Sequence, residues 1–135
     1  MVERLCSCLS ETTYSARNLL AVPIVRELAS STPVRALAEA VLGKTCFAVK
    51  GTFFNKTQEA NWKVVWHQDL TIVVREGCEV PGFDPWTIKA GINHVQPPAL
   101  LHASSACVAA KPRRVIYLEF AATALPDGLE WYDKV

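Results

Sequence analysis

The chain has 135 residues, 50% of them hydrophobic and 20% charged, which is enough for one compact domain with a real core and too little for two ordinary ones. Its formal net charge is +1 and the basic residues are spread without a cluster, so neither nucleic acid nor an anionic membrane is an expected partner. Five cysteines (Cys6, Cys8, Cys46, Cys78, Cys107) are odd in number and lack the paired spacing of a zinc ribbon or a disulfide scaffold, which predicts reduced thiols and a cytoplasmic location.

Met1 to Tyr14 has no continuous apolar run, so neither a secretory signal nor a membrane span is expected there, and no later stretch approaches the roughly 20 apolar residues of a spanning helix. Cys6 and Cys8 fall in an N-terminus expected to fray. Between Ser15 and Leu42 the apolar residues recur at three- and four-residue intervals: Leu19, Leu20, Ile24 and Leu28, then Val34, Leu37, Ala38, Val41 and Leu42. Pro23 belongs in the first turn of a helix ending near Ser30. Thr32 is the expected N-cap of a second helix, with Pro33 at its first position and Gly43 closing it in a left-handed conformation. Both helices are expected to pack on one face of a sheet.

After Gly43 the pattern becomes that of strands, first at Cys46 to Phe54, then, beyond a polar connection, at Lys63 to Val74. The second stretch, rich in Trp and Val, carries His67 and Asp69 two residues apart. On a strand these share a face and can converge on a divalent metal. An ionised carboxylate among Val and Trp is costly unless it is paired or coordinates something. A His-x-Asp pair with a later histidine is the trace of a two-histidine, one-carboxylate site for non-haem Fe(II). The plainer alternative makes Asp69 a turn cap and His67 a satisfied core histidine. Lys63 has the same parity and either enters that pocket or, the preferred reading, reaches water from the strand end.

Arg75 to Trp86, with two glycines and two prolines, reads as a loop of the kind that forms a lid or binding edge. His94 precedes Pro97-Pro98, which enforces extended backbone, and so marks an edge or loop. His102 is followed by small residues that let a ligand approach the backbone, which makes it the preferred third ligand. The last strand is Arg113 to Phe120, and Pro126-Asp127-Gly128 turns the chain into a tail with Trp131 and Tyr132.

Three blocks resemble the signatures of the phytanoyl-CoA dioxygenase family: Asn61-Trp62-Lys63-Val64-Val65-Trp66-His67-Gln68-Asp69, Ala99-Leu100-Leu101-His102-Ala103-Ser104-Ser105 and Arg113-Arg114-Val115-Ile116-Tyr117-Leu118-Glu119-Phe120. The helical part from Asn18 to Gly43 and the ending Gly128-Leu129-Glu130-Trp131-Tyr132 are similar to bacterial members of that family. The resemblance implies a double-stranded β-helix (jelly roll) with Fe(II) held by His67, Asp69 and His102. It also implies that 2-oxoglutarate chelates the iron and anchors its distal carboxylate on an arginine of the last strand. Family spacing points to Arg113. Strand alternation puts Arg114 on the face of Ile116, Leu118 and Phe120. Arg113 is favoured because its spacing belongs to the motif, and a guanidinium suits the task because its planar fork pairs bidentately with a carboxylate. The implied reaction is oxidative decarboxylation of 2-oxoglutarate coupled to hydroxylation of a small organic substrate.

The chain departs from that family in one respect. Members carry a long segment supplying several strands between the block ending near Val95-Gln96-Pro97-Pro98 and the distal histidine, whereas here Ala99 to His102 follows at once. The expected fold is therefore α+β, mainly β with N-terminal helices (15–43) and a β part (44–122), about half of an eight-stranded jelly roll. Open sheet edges favour a homodimer. The alternative is a catalytically inactive remnant that serves as a binding or interaction module.

Overall fold

The computed structural model describes Arg4, Ser7 and residues 14–68, 71–89, 91–95, 101–108 and 111–135, with the side chains of Gln68 and Leu101 excepted. Asp69, Cys6, Cys8, the Pro97-Pro98 step and Ala99 to Leu100 lie outside the described residues. The fold is mainly β with two helices, an α+β arrangement. In chain order it comprises β1 (Ser15–Ala16), a 3-10 turn (Leu19–Ala21), α1 (Pro23–Ser30), α2 (Thr32–Leu42), β2 (Phe47–Lys56), β3 (Val64–Gln68), β4 (Ile72–Val74), β5 (Trp86–Lys89), β6 (Ile92–Val95), β7 (Leu101–Ser104) and β8 (Arg113–Ala121). Among the described residues the strands form three antiparallel sheets, ordered β1-β2-β8, β3-β7 and β4-β6-β5. No helix among them is long and apolar enough to cross a membrane.

The helices start where proline fixes φ. Pro23 opens α1, as the sequence predicts. In α2 the cap is Ser31, one residue before the predicted Thr32, and its hydroxyl donates back to the Leu28 carbonyl (2.7 Å) instead of accepting from the helix. Gly43 ends α2 at φ 85° and ψ 168°, so its φ is positive as expected while its ψ is extended. Only α1 packs as predicted: Ile24, Val25 and Ala29 join Leu19, Leu20, Ala48 and Phe53 in the core. In α2 no residue is buried, and Leu37 and Val41 are 76% and 83% exposed. The inward side of α2 is held by polar links instead, Arg35 reaching Glu39 and the carbonyls of Lys44 and Cys46.

The two-faced ribbon β2–β8 organises the molecule. A bulge at Val49 moves the pairing from Ala48↔Phe120 to Lys50↔Glu119 and sets the parity of everything beyond it. One face then carries Phe53, Ile116, Leu118 and Phe120 toward the 3-10 turn and α1. Gly51 lies on that side too, where an added Cβ would come within 3.3 Å of Leu19 Cβ, tighter than ordinary contact, so the close approach of the turn leaves little room for a side chain. The other face carries Lys50, Thr52, Phe54 and Lys56 from β2 and Arg113, Val115 and Tyr117 from β8.

Lys63 to Val74, predicted as one strand, is split between two sheets as β3 and β4. Trp86–Lys89 and Ile92–Val95, for which no strand was predicted, pair as the β5–β6 hairpin, with Gly91 (φ 76°) in the reversal between them. The C-terminal tail ties the sheets together. Tyr132 N donates to Val73 O and Arg75 N to Glu130 O on the β4 side, while Val135 and Ala48 exchange both backbone bonds at the edge of β2.

Candidate functional site

A cavity of about 570 Å³, within the usual range for small-molecule sites, opens between the polar face of β2–β8 and the two smaller sheets. Antiparallel pairing of β3 with β7 sets His67 directly opposite His102, and the ring centroids are 4.3 Å apart at 55°. Tyr117 of β8 stacks with His102, the ring centroids 6.2 Å apart at 25°. The Asn61 side chain bonds both backbone groups of Cys107 (2.6 and 2.8 Å), which holds the approach to β3 beside the exit of β7. His67 Nδ1 lies 2.9 Å from the Val65 carbonyl. A carbonyl can only accept, so Nδ1 is the donor in this contact.

Arg113 lines the same cavity. It donates from one terminal nitrogen to Ser104 Oγ (2.9 Å) and Ser105 O (2.8 Å), while its Nε is buried with no hydrogen-bond partner among the described residues. Beside it Lys56, 3% exposed, bonds the same Ser104 and Ser105 oxygens and lies over the Trp62 ring. Burial first, and then the Arg113 charge, hold the Lys56 amine below its ordinary range. Neither cation meets a carboxylate among the described residues.

Two predicted site residues are elsewhere. Arg114 is exposed on the opposite face of β8, across from Asn55, because strand alternation turns it away from Arg113. Lys63 is exposed before β3 and does not line the cavity. Its predicted parity with His67 fails because the β3–β7 register shifts between Val64 and His67, so cavity-lining residues in β3 are three apart, not two. Asp69, the predicted carboxylate ligand, lies outside the described residues, and among those described no group of three or more His, Cys, Asp or Glu is arranged to hold a metal ion.

His94 is the residue the sequence reading misplaced. It lies in β6, the central strand of its sheet, only 2% exposed, and lines the cavity. The prolines at 97 and 98 restrict the residue immediately before each and do not reach position 94. The signal that could have placed it is the alternation of Trp86 to Val95 around a glycine-containing turn. Its Nδ1 is 3.3 Å from Thr71 Oγ1 and its Nε2 is buried with no hydrogen-bond partner among the described residues. Burial, and then Lys89, Lys50 and Arg17, push its pKa down to about 4. The described lining of the cavity thus has five basic side chains, Arg17, Lys50, Lys56, Lys89 and Arg113, and no acidic one. Glu119 pairs with Lys50, at 2.5 Å.

No family model, curated protein or solved structure matches the chain. What it can do therefore has to be read from this cavity.

Proposed function

We propose that the chain is a cytoplasmic non-haem Fe(II)- and 2-oxoglutarate-dependent dioxygenase, related to the phytanoyl-CoA dioxygenase family and built on a reduced jelly roll. The observation that carries this reading is the cross-strand pair His67↔His102 sharing a cavity with Arg113. Two imidazoles bound side by side on one metal at about 2.1 Å set their ring centroids roughly 4 to 5 Å apart, and the 4.3 Å separation here fits. His67 and His102, with Asp69 from the connection after β3, would hold the iron. When bound, iron and 2-oxoglutarate supply the power to hydroxylate an unactivated C–H bond using O₂.

The chain's own residues bind, orient and exclude water. The Val65 carbonyl accepts from His67 Nδ1, and Tyr117 packs against the His102 ring. Arg113, its Nε without a partner among the described residues and Lys56 alongside, offers a carboxylate the positive charge and donors it needs. Phe54, Val64 and Val115 give the walls between them an apolar surface.

Anaerobic addition of Fe(II) and 2-oxoglutarate should give the weak visible charge-transfer absorption of the chelate, and O₂ should then release succinate. His67→Ala should lose both. A wild-type protein that gives neither overturns the oxygenase reading. A second reading, a non-catalytic module that binds a small anion, is favoured by the excess of cations in the cavity. It is the one left standing if 2-oxoglutarate binds without iron and no succinate forms.

A further inference from the structure

The cavity follows the polar face of β2–β8, with Lys56 and Arg113 lining one part of it and Lys50 another. Along β2–β8 the Lys56↔Arg113 pair is six residues from the Lys50↔Glu119 pair, about 20 Å at strand rise. Tyr117, which stacks on His102, is between them in β8. The histidine pair therefore stands in mid-cavity, with Arg113 on one side. On the other side, Lys50 Nζ sits 3.5 Å from the Thr71 carbonyl, and Thr71 Oγ1 is the neighbour of His94 Nδ1. Among the described residues, this far end has a buried imidazole nitrogen with no hydrogen-bond partner and two cations, Lys89 and Arg17, that meet no carboxylate.

We propose that this end is a second anion subsite, in which His94 Nε2, Lys89 and Arg17 hold the carboxylate or phosphate head group of the substrate. The assignment to substrate rests on the oxygenase reading above, with 2-oxoglutarate occupying the Arg113 end. Depressed as it is to about 4, His94 is neutral at pH 7. The Thr71 hydroxyl can donate to Nδ1, which puts the proton on Nε2 and makes it a donor into the cavity. A donor that remains uncharged among lysines and arginine fits an acceptor that brings its own negative charge, since a cationic or neutral head group would leave Lys89 and Arg17 uncompensated. Substrates of this class would lie with the head group at His94 and the chain directed back toward His67 and His102.

Histidine-ring NMR on the full chain without added metal tests this directly, with inorganic phosphate and acetate as separate probes. A saturable shift of the His94 resonances is expected with at least one of them, and the tighter probe names the head group. Lys89→Gln and Arg17→Gln, both at exposed positions, should weaken that binding about tenfold each. Arg113→Gln should leave it within about twofold. No saturable shift with either probe, or a shift that Arg113→Gln abolishes and Lys89→Gln spares, overturns the subsite. The iron chelate band reads the other proposal separately. A His94 response without that band keeps the subsite and removes the oxygenase, while the band without a His94 response keeps the oxygenase and removes the anionic substrate.

Discussion

The two faces of the β2–β8 ribbon are made from alternate residues of the same strands and do opposite work. The face of Phe53, Ile116, Leu118 and Phe120 is closed by the 3-10 turn and α1, and it is apolar. The face of Lys50, Lys56, Arg113 and Tyr117 fronts a cavity and carries charge that no carboxylate among the described residues fully balances. Stability gathers on the first face, and the second retains desolvated cations and an orphan imidazole, costs that a ligand could offset.

The sharpest way to break the comparison is on the packed side. Phe53 is 2% exposed, so Phe53→Ala should cost about 3–5 kcal/mol, read as a lower urea midpoint. An effect under about 1 kcal/mol would mean the helical layer does not close this face.

On the cavity side the first effect is a pH dependence. His94 takes up its proton near pH 4 when folded and near 6.5 when unfolded. The unfolded chain therefore binds the proton first as pH falls. Stability from this group is complete above about pH 6.5 and is lost between there and pH 4, by at most about 3 kcal/mol. Urea titrations from pH 8 to pH 4 should show that slope, and His94→Gln should flatten it. A wild-type slope unchanged by His94→Gln contradicts the burial of a neutral imidazole.

A smaller effect separates neighbouring arginines. Arg113→Gln should weaken 2-oxoglutarate binding by about 30-fold, measured by calorimetry, and Arg114→Gln by less than about twofold. Equal losses would erase the distinction between the faces at this end of β8. Smallest of all is the ion pair Arg75–Glu130, whose side chains are 61% and 64% exposed. Arg75→Ala should change stability by less than about 1 kcal/mol, by the same urea measurement.

Local chemistry was legible in the sequence, while assembly was only partly so. Pro23 placed the start of α1, and the alternating pattern placed β2 and β8, because proline geometry and strand parity act over a few residues. The family-type spacing pointed to Arg113, the arginine found on the cavity wall, against the alternation argument for Arg114. Where the reading went astray, a register irregularity or distant packing intervened. The shift between Val64 and His67 breaks the parity that put Lys63 with His67, and no periodicity announces a bulge, although the preferred reading, Lys63 reaching water from the strand end, agrees with its exposure. The apolar stripe of α2 read as a buried face, yet Leu37 and Val41 stand in solvent because no element packs over them. His94 was misread because its burial comes from being central in a sheet, flanked by β4 and β5.

Iron stoichiometry in the presence of 2-oxoglutarate, measured anaerobically on wild type and on His102→Ala, tests the central claim most directly. The account predicts one iron per wild-type chain with the visible chelate absorption, and loss of both when the imidazole at position 102 is removed. A His102→Ala protein that still binds one iron with the same absorption would contradict it.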